Sequence, residues 1–373
     1  MMSLSSMFIL VGEKSGEEHL LSFLPELKSS LPETHFWGVG GDEMQQQGVE
    51  IKWHFKQLST MGFSGVIGKL SFYLQLKKDI VAEIVARKTK YVLLVDYQGL
   101  NYQLAKELAP LGIKIFYYVA PQVWAWKPWR AKVLSSLCTK IFSILPFEKK
   151  WWSEHVVGAR AAENLVTVDH PLVASKKNIT YESAPNVLLF LPGSRNGEVS
   201  EHLPIFARLA HEMKGLYPQI ETACVFADHL DPKWRNAYAS QFDLSVAQEQ
   251  MLEIFSKTKF AVAASGTVTL NLGLYQIPTI VCYRVSLLNA FIYRAIVPYK
   301  GPVSLTNIIM DKMIFPELLQ EDCAFDAIFF KMQSWMNNSE LLRFMRLDLV
   351  QIKERLKGEQ KNPCSIIKEL FVR

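Results

Sequence analysis

The chain has 373 residues, 49% hydrophobic and 21% charged, with a formal net charge of +5. That is ordinary globular composition on the scale of two domains or one large one, with a core that needs no disulfide or metal staple. So mild a basic balance suits an anionic membrane surface or a phosphorylated ligand, not a nucleic-acid-binding stripe.

The opening MMSLSSMFILVGEKSG has an apolar run but no basic flank or small-residue cleavage site, so 7–11 reads as a first strand and not a leader. It runs into Gly12, Ser15 and Gly16 at a strand-to-helix turn. Glycines there let backbone N–H groups approach a ligand, and a helix N-terminus favours an anion; a plain tight turn explains the same residues. A second strand at 35–39 leads into GVGGDEM (38–44), open to the same two readings.

Residues 60–80, TMGFSGVIGKLSFYLQLKKDI, are apolar and basic. Ile67, Leu70, Tyr73 and Leu74 keep helical spacing, Phe72 widens the face, and Lys69, Lys77 and Lys78 flank it. A core helix and a surface helix meeting lipid both fit. The strand at 91–95 ends at Asp96, with Gln98, Gly99 and Asn101 in a polar turn and a helix over 104–111. Such a turn is where open α/β sheets bind ligands. A strand at 114–119 leads into PQVWAWKPWR (121–130). That is either a buried aromatic corner or a wall for a sugar or lipid, with Arg130 or Lys127 facing a phosphate. Strands at 140–145 and 164–168 follow, then His170 in VDHPL. No histidine has metal-ligand spacing around it.

The polar stretch 173–186 reads as a domain linker. A second series of strands lies at 187–191, 222–226, 260–264 and 279–283. In LLFLPGSRNGEV (188–199) backbone amides, the Ser194 hydroxyl and the Arg195 guanidinium could converge on a diphosphate, with a helix starting near Gly197–Glu198. There is no GK[ST], so ATP is not implied, and a structural turn is the alternative. AASGTVTLNLGL (263–274) repeats the design, with Thr267 or Ser265 capping a helix. Two such loops suit a nucleotide diphosphate. The last segment is helical, broken at Gly358 and Pro363. The class is α/β: two Rossmann-like halves in tandem. GxGxxG is missing from both, which disfavours a nicotinamide dehydrogenase. The five scattered cysteines, Cys138, Cys224, Cys282, Cys323 and Cys364, form no CxxC and read as free thiols of a reducing compartment. No run of about 18 apolar residues is present, so no membrane span is expected.

Taken as a set, GEKSGE, GVGGDEM, TMGFSGVI, VDYQGLN, YYVAPQVWAW, ILPFE, DHPL, LPGSRNGEV, ASGTVTL, VSLTNII and PELLQEDC resemble the lipid-A-disaccharide synthase family over about 7–325. These are GT-B glycosyltransferases of Gram-negative outer-membrane biogenesis. The resemblance implies two Rossmann-like domains facing a central cleft, with C-terminal helices returning to the N-terminal domain. Residues 1–172 would hold the acceptor, 2,3-diacylglucosamine 1-phosphate, and meet the membrane. Residues 173–345 would hold UDP-2,3-diacylglucosamine, and 346–373 would pack back or be exchanged in a homodimer. The product would be a β(1→6) disaccharide 1-phosphate plus UDP, made by inversion without a metal or cofactor, peripherally on the cytoplasmic face of the inner membrane.

The resemblance also implies site residues. Asp96 or Glu13 would be the base, and Arg195 would stabilise the leaving diphosphate. On the acceptor side stand Gly12, Ser15, Gly16, Met61, Gly62, Phe63, Gln98, Asn101, Gln122, Trp124 and Trp126. On the donor side stand Gly193, Ser194, Glu198, Ser265, Gly266, Thr267 and Asn271. Val66, Ile67, Leu70, Phe72, Tyr73 and Leu74 would meet acyl chains or the membrane. Four residues depart from the pattern: Gly99 replaces a second Asp favoured as base, Asn271 a Glu expected on the ribose, Glu17 an Asp, and Asp169 a Gly. Two rival readings are a non-catalytic paralogue that binds UDP-sugar or lipid, and another GT-B UDP-sugar enzyme such as an epimerase.

Overall fold

The computed structural model describes residues 5–60, 66–156, 164–175, 177–228, 230–284, 299–359 and 361–372. The chain forms two compact units, residues 1–175 with 356–373, and residues 176–355.

Unit 1 is a parallel sheet of seven strands in the order β3-β2-β1-β4-β5-β6-β7. These are β1 (Ser5–Val11), β2 (Thr34–Gly40), β3 (Glu50–His54), β4 (Tyr91–Val95), β5 (Lys114–Tyr118), β6 (Lys140–Ser143) and β7 (Leu165–Thr167). The central pair, β1 and β4, runs in register from Met7↔Tyr91 to Val11↔Val95. Both strands are nearly continuous apolar runs because helices cover both faces of a parallel sheet. The helices that matter here are α1 (Lys14–Leu21), α2 (Asp42–Gln46), α3 (Val66–Ala86), α4 (Gln98–Leu108), α5 (Trp129–Leu137) and α6 (Phe147–His155). Leu100, Leu104 and Leu108 of α4 share a core with Ile80 and Ile84 of α3, with Leu94, and with Trp152 of α6. The helix expected over 104–111 thus starts at Gln98, because that four-residue leucine spacing already begins at Leu100.

Unit 2 is a parallel sheet of six strands in the order β10-β9-β8-β11-β12-β13. Its strands are β8 (Val187–Leu191), β9 (Glu221–Phe226), β10 (Leu244–Ala247), β11 (Thr258–Ala264), β12 (Thr279–Tyr283) and β13 (Glu317–Leu319). Helices α7 (Asn196–Leu216) and α8 (Thr267–Leu274) follow β8 and β11; α9 (Leu305–Met310) and α10 (Ser339–Leu349) come later. The boundary expected at 345/346 falls instead at 355/356. The physical reason is that α10 buries Leu342, Met345 and Leu349, and that Arg346 donates to Lys259 O (3.0 Å) and Arg355 to Met310 O (3.0 Å).

The last helix, α11 (Pro363–Val372), belongs to unit 1. It buries Cys364 and Ile367, and its carbonyls accept from Tyr91 (Phe371 O, 2.9 Å) and Lys114 (Leu370 O, 3.1 Å). The returning chain is clipped to the outgoing one. His170 N donates to Leu356 O (3.2 Å), Glu359 N to Thr167 O (3.2 Å) and Gly358 N to Asp169 Oδ1 (2.7 Å). A Cβ on Gly358 would lie 2.4 Å from the Val168 carbonyl carbon, so only glycine fits. His170 is therefore structural: burial pushes its imidazole down to about 3, and it packs edge-on against His19 at 5.8 Å.

Candidate active site

In doubly wound sheets, ligands sit outside the carboxyl ends of the strands where the winding direction reverses. In unit 1 that point lies between β1 and β4. It carries the Gly12–Gly16 turn on one side and Asp96–Asn101 on the other. The two turns are packed together. A Cβ on Gly12 would lie 2.2 Å from the Tyr97 ring, and one on Gly16 would lie 3.3 Å from Val11 Cγ1 and 3.7 Å from Asp96 Cβ. The Tyr97 hydroxyl meets that of Tyr73 at 2.7 Å, so the ring is held at both ends. Gly12→Ala is expected to cost about 1–3 kcal/mol through this overpacking, read by chemical denaturation.

Asp96 directly follows β4 with φ +34°, sparsely populated for a non-glycine residue, while its N–H donates to Tyr118 O at 3.1 Å. Burial, and then the Glu13 carboxylate nearby, push its carboxyl up to about 7. A carboxylate poised there can take a proton from a hydroxyl at neutral pH. Glu13 itself is exposed at the start of α1 and accepts from Ser15 Oγ at 2.9 Å.

Gln98, Gly99 and Asn101 form the first turn of α4 and not a loop. Gln98 is half-buried, whereas Asn101 is fully buried on the face shared with Leu100 and Leu104. Its amide faces the equally buried Tyr117 hydroxyl. It lies under the turn, away from the surface a substrate would occupy. Gly99 is exposed, and a Cβ there would meet nothing within 4 Å. Gly99→Asp is expected to raise stability by about 1 kcal/mol in thermal melts, since it removes a helical glycine and adds an acid to the first turn.

Met61, Gly62 and Phe63 lie outside the described residues, as do the side chains of Val66, Ile67 and Leu70. Further along α3, Phe72 and Tyr73 pack on the unit 1 core, in line with the buried Leu76, Ile80 and Ile84. Leu74 is 48% exposed. The inward stripe is thus 72, 76, 80 and 84, and Tyr73 turns to Tyr97 and not outward. In the tryptophan loop, Gln122 and Trp126 are exposed, and Lys127 Nζ lies 4.3 Å from the Trp126 ring centroid. Trp124 is half-buried, edge-on to Phe147 at 5.2 Å. Arg130 stacks over Tyr102 at 4.5 Å.

The glycines of GVGGDEM serve packing. A Cβ on Gly38 would lie 1.9 Å from Ile9 O, and one on Gly41 would lie 2.6 Å from Glu17 Oε1. Glu17 is 1% exposed and accepts from Met44 N at 3.0 Å, so it satisfies an N–H in the first turn of α2. That accounts for an acid at position 17 without any role in chemistry.

In unit 2 the reversal lies between β8 and β11. Gly193 has φ +111°, and a Cβ there would lie 2.9 Å from Glu198 Oε2 and 3.4 Å from Ala264 Cβ, so the two turns abut. Ser194 is exposed; Arg195 stands at the N-cap of α7, 74% exposed on its side chain, 3.0 Å from Glu198 Oε1. Helix α7 starts at Asn196, just before the expected Gly197–Glu198, and no side chain caps it. Helix α8 starts at Thr267 after Gly266, also uncapped. The expected cap from Ser265 or Thr267 is absent because the Ser265 hydroxyl donates instead to Val303 O at 2.9 Å. Both helices therefore present N–H groups suited to an anion. Asn271 is half-buried one turn into α8.

Supporting residues escaped the sequence reading. Glu317 accepts from Val303 N (2.8 Å), Ser304 N (2.9 Å) and Asn307 Nδ2 (2.8 Å). The buried Asn307 also binds Ile314 N, Phe315 N and Phe315 O, and so fixes the segment that holds Ser265. Ser304 three residues before Asn307 is a legible N-cap pattern. His202 donates from Nδ1 to Pro192 O (2.8 Å) and accepts from Arg284 N (3.1 Å), which anchors the other turn. No group of three or more His, Cys, Asp or Glu among the described residues is arranged to hold a metal, and no described helix is long and apolar enough to cross a membrane.

Comparison with known proteins is consistent along the whole chain. The family model described as lipid-A-disaccharide synthetase matches residues 7–370. The lipid-A-disaccharide synthase of Myxococcus xanthus (strain DK1622) is 32% identical over 321 residues, 84% of this chain and 83% of that protein. Lipid-A-disaccharide synthase 1 of Legionella pneumophila (strain Lens) is 30% identical over 377 residues, 97% of this chain and 96% of that protein. Among solved structures, a putative UDP-N-acetylglucosamine 2-epimerase from Listeria monocytogenes aligns with TM-score 0.63 at 11% identity, covering 93% of this chain and 91% of that one. The spinosyn rhamnosyltransferase SpnG complexed with thymidine diphosphate aligns with TM-score 0.58 at 12% identity, covering 98% and 99%. At such identities the structures establish the fold alone, which is GT-B.

Proposed function

The chain belongs to the lipid-A-disaccharide synthetase family of GT-B glycosyltransferases, and from that premise we propose that it joins UDP-2,3-diacylglucosamine to 2,3-diacylglucosamine 1-phosphate. The products are the β(1→6) disaccharide 1-phosphate and UDP. Unit 1 receives the acceptor and unit 2 the donor. The observation that carries this reading is Asp96, a carboxyl raised to about 7 at the reversal point of the unit 1 sheet. It takes the proton of the acceptor hydroxyl as that oxygen attacks the anomeric carbon. The α-linked donor inverts in a single displacement. The departing diphosphate is met by Arg195 and by the uncapped N-termini of α7 and α8, without a metal.

The acyl chains keep both substrates at a membrane surface, so the enzyme works peripherally on the cytoplasmic face of the inner membrane. Exposed Trp126 (45%) and Trp129 (61%), with Lys127 beside them, support that mode of contact. A homodimer built by exchange of the C-terminal segment would lay α11 of one copy on the unit 1 sheet of the other. The purified protein, given the two acylated sugars, should release UDP and disaccharide in equal amounts. UDP binding by calorimetry with no product would instead favour a non-catalytic paralogue, a reading motivated by the open space at Gly99.

A further inference from the structure

Glu148 sits in the first turn of α6 with 2% of its surface exposed. Among the described residues, the groups that act on it are Ser143, Trp124 and the Asp96 carboxylate. Its own helix carries Lys149 and Lys150, both exposed, and Lys149 is paired with Glu359. A buried carboxylate with no cation beside it is costly in its charged form.

The hydrogen bonds around it accommodate the neutral form. Ser143 Oγ lies 2.9 Å from Leu145 O, 3.3 Å from Leu145 N and in contact with Glu148 Oε2. A serine hydroxyl has one proton to give. The Leu145 carbonyl also accepts from Glu148 N at 3.0 Å, and when the serine proton goes to that carbonyl the bond to Glu148 takes its proton from the carboxyl. The other oxygen, Oε1, accepts from Trp124 Nε1 at 3.0 Å. A protonated carboxyl is accommodated by these bonds, with one donor and one acceptor in use, and burial with no cation beside it selects that form.

We propose that Glu148 is a positioning residue for the acceptor site, a neutral carboxylic acid that is anchored on Ser143 at the end of β6 and holds the Trp124 indole in place. Its neutrality also matters for Asp96. A second buried negative charge nearby would favour the protonated form of Asp96 and remove it as a base. The direction of the shift agrees: burial pushes the Glu148 carboxyl up to about 8.

The positioning role rests on the acceptor-site reading of unit 1, so the test includes a measurement that does not. Glu148→Gln keeps a donor and an acceptor in nearly the same shape, and kcat and KM are expected within about threefold of the parent. Glu148→Ala should lower kcat/KM for the acceptor by about 100-fold and leave UDP affinity unchanged. Trp124→Phe, which cuts the indole bond and leaves Glu148 intact, should raise the acceptor KM. A carboxyl whose folded value is raised stabilises the fold fully below about pH 4.5 and loses that contribution as pH rises through about 8. The parent should thus lose stability and activity near pH 8, and Glu148→Gln should hold both to higher pH.

A folded Glu148→Gln that is about 100-fold slower, or that keeps the alkaline loss of the parent, overturns the proposal. So does a Trp124→Phe variant with unchanged acceptor KM. If Glu148→Ala does not fold, these last two variants decide. Infrared difference spectra of the parent against Glu148→Gln at pH 7 should contain a protonated carboxyl band, whether or not the protein turns over. A carboxylate band there also overturns the proposal, while the protonated band with no turnover counts against the proposed reaction only.

Discussion

Asp96→Asn is expected to lower turnover by about 100- to 10,000-fold, the range for loss of a positioned general base, with little change in KM. The parent's kcat/KM should rise as pH passes through about 7, where Asp96 loses its proton, and the variant should lose that limb. The stability effect has the opposite sign. A carboxyl raised in the folded state contributes stability that is full below about pH 4 and lost as pH rises through about 7. Asn carries no such loss, so the variant should be at least as stable as the parent at pH 8, as measured by urea denaturation. An unchanged rate would remove Asp96 from the mechanism and leave Glu13 as the acid to test.

Arg195→Ala is expected to lower turnover by about 100- to 1,000-fold, comparable to the loss of a transition-state donor. UDP affinity should fall by about 10- to 100-fold, since a charge-assisted hydrogen bond contributes about 1.5–3 kcal/mol. The ion pair of Arg195 with Glu198 does not outweigh this. The pair with Glu198 joins positions three apart on a helix, and the Arg195 side chain is 74% exposed, a type of pair that contributes about 0.2–0.5 kcal/mol. A diphosphate displaces such a pair easily. Stability should change by less than about 0.5 kcal/mol, because the side chain is a surface one. Arg195→Lys keeps the charge but not the planar fork and should fall between the two. Calorimetry with UDP and a UDP-release assay separate binding from rate.

The four candidate turns were legible in the sequence because each follows a buried strand. β1, β4, β8 and β11 are long apolar runs, and the chemistry-bearing residues come directly after them. The three strands with no sequence expectation, β3, β10 and β13, all end their sheets or turn half-exposed faces outward. Their sequences EIKWH, LSVA and ELL lack the unbroken apolar run that burial on two faces imposes. Local pattern also could not tell which face of a turn points to solvent. Asn101 reads like a ligand residue and is buried; Gly38 and Gly41 read equally as glycines of a ligand loop or of a turn, and they make room for Ile9 and Glu17. Glu148 and Glu317 could not be found at all by spacing, since their partners are distant or follow from loop geometry.

The clip between Thr167–His170 and Leu356–Glu359 bears on how the protein is made. Translation makes residues 1–175 before 176–355, and the helix that packs on their sheet only after both. Residues 176–355 are synthesised in between, which at about 5–20 residues per second takes roughly 10–40 s. For that interval the nascent unit 1 has no Cys364 against Phe23, nor any α11 carbonyls for Tyr91 and Lys114. Unit 2 emerges as one continuous segment and can fold while the first unit waits. A C-terminal truncation at residue 355 would make that waiting state permanent, with its apolar face left to chaperones or to aggregation.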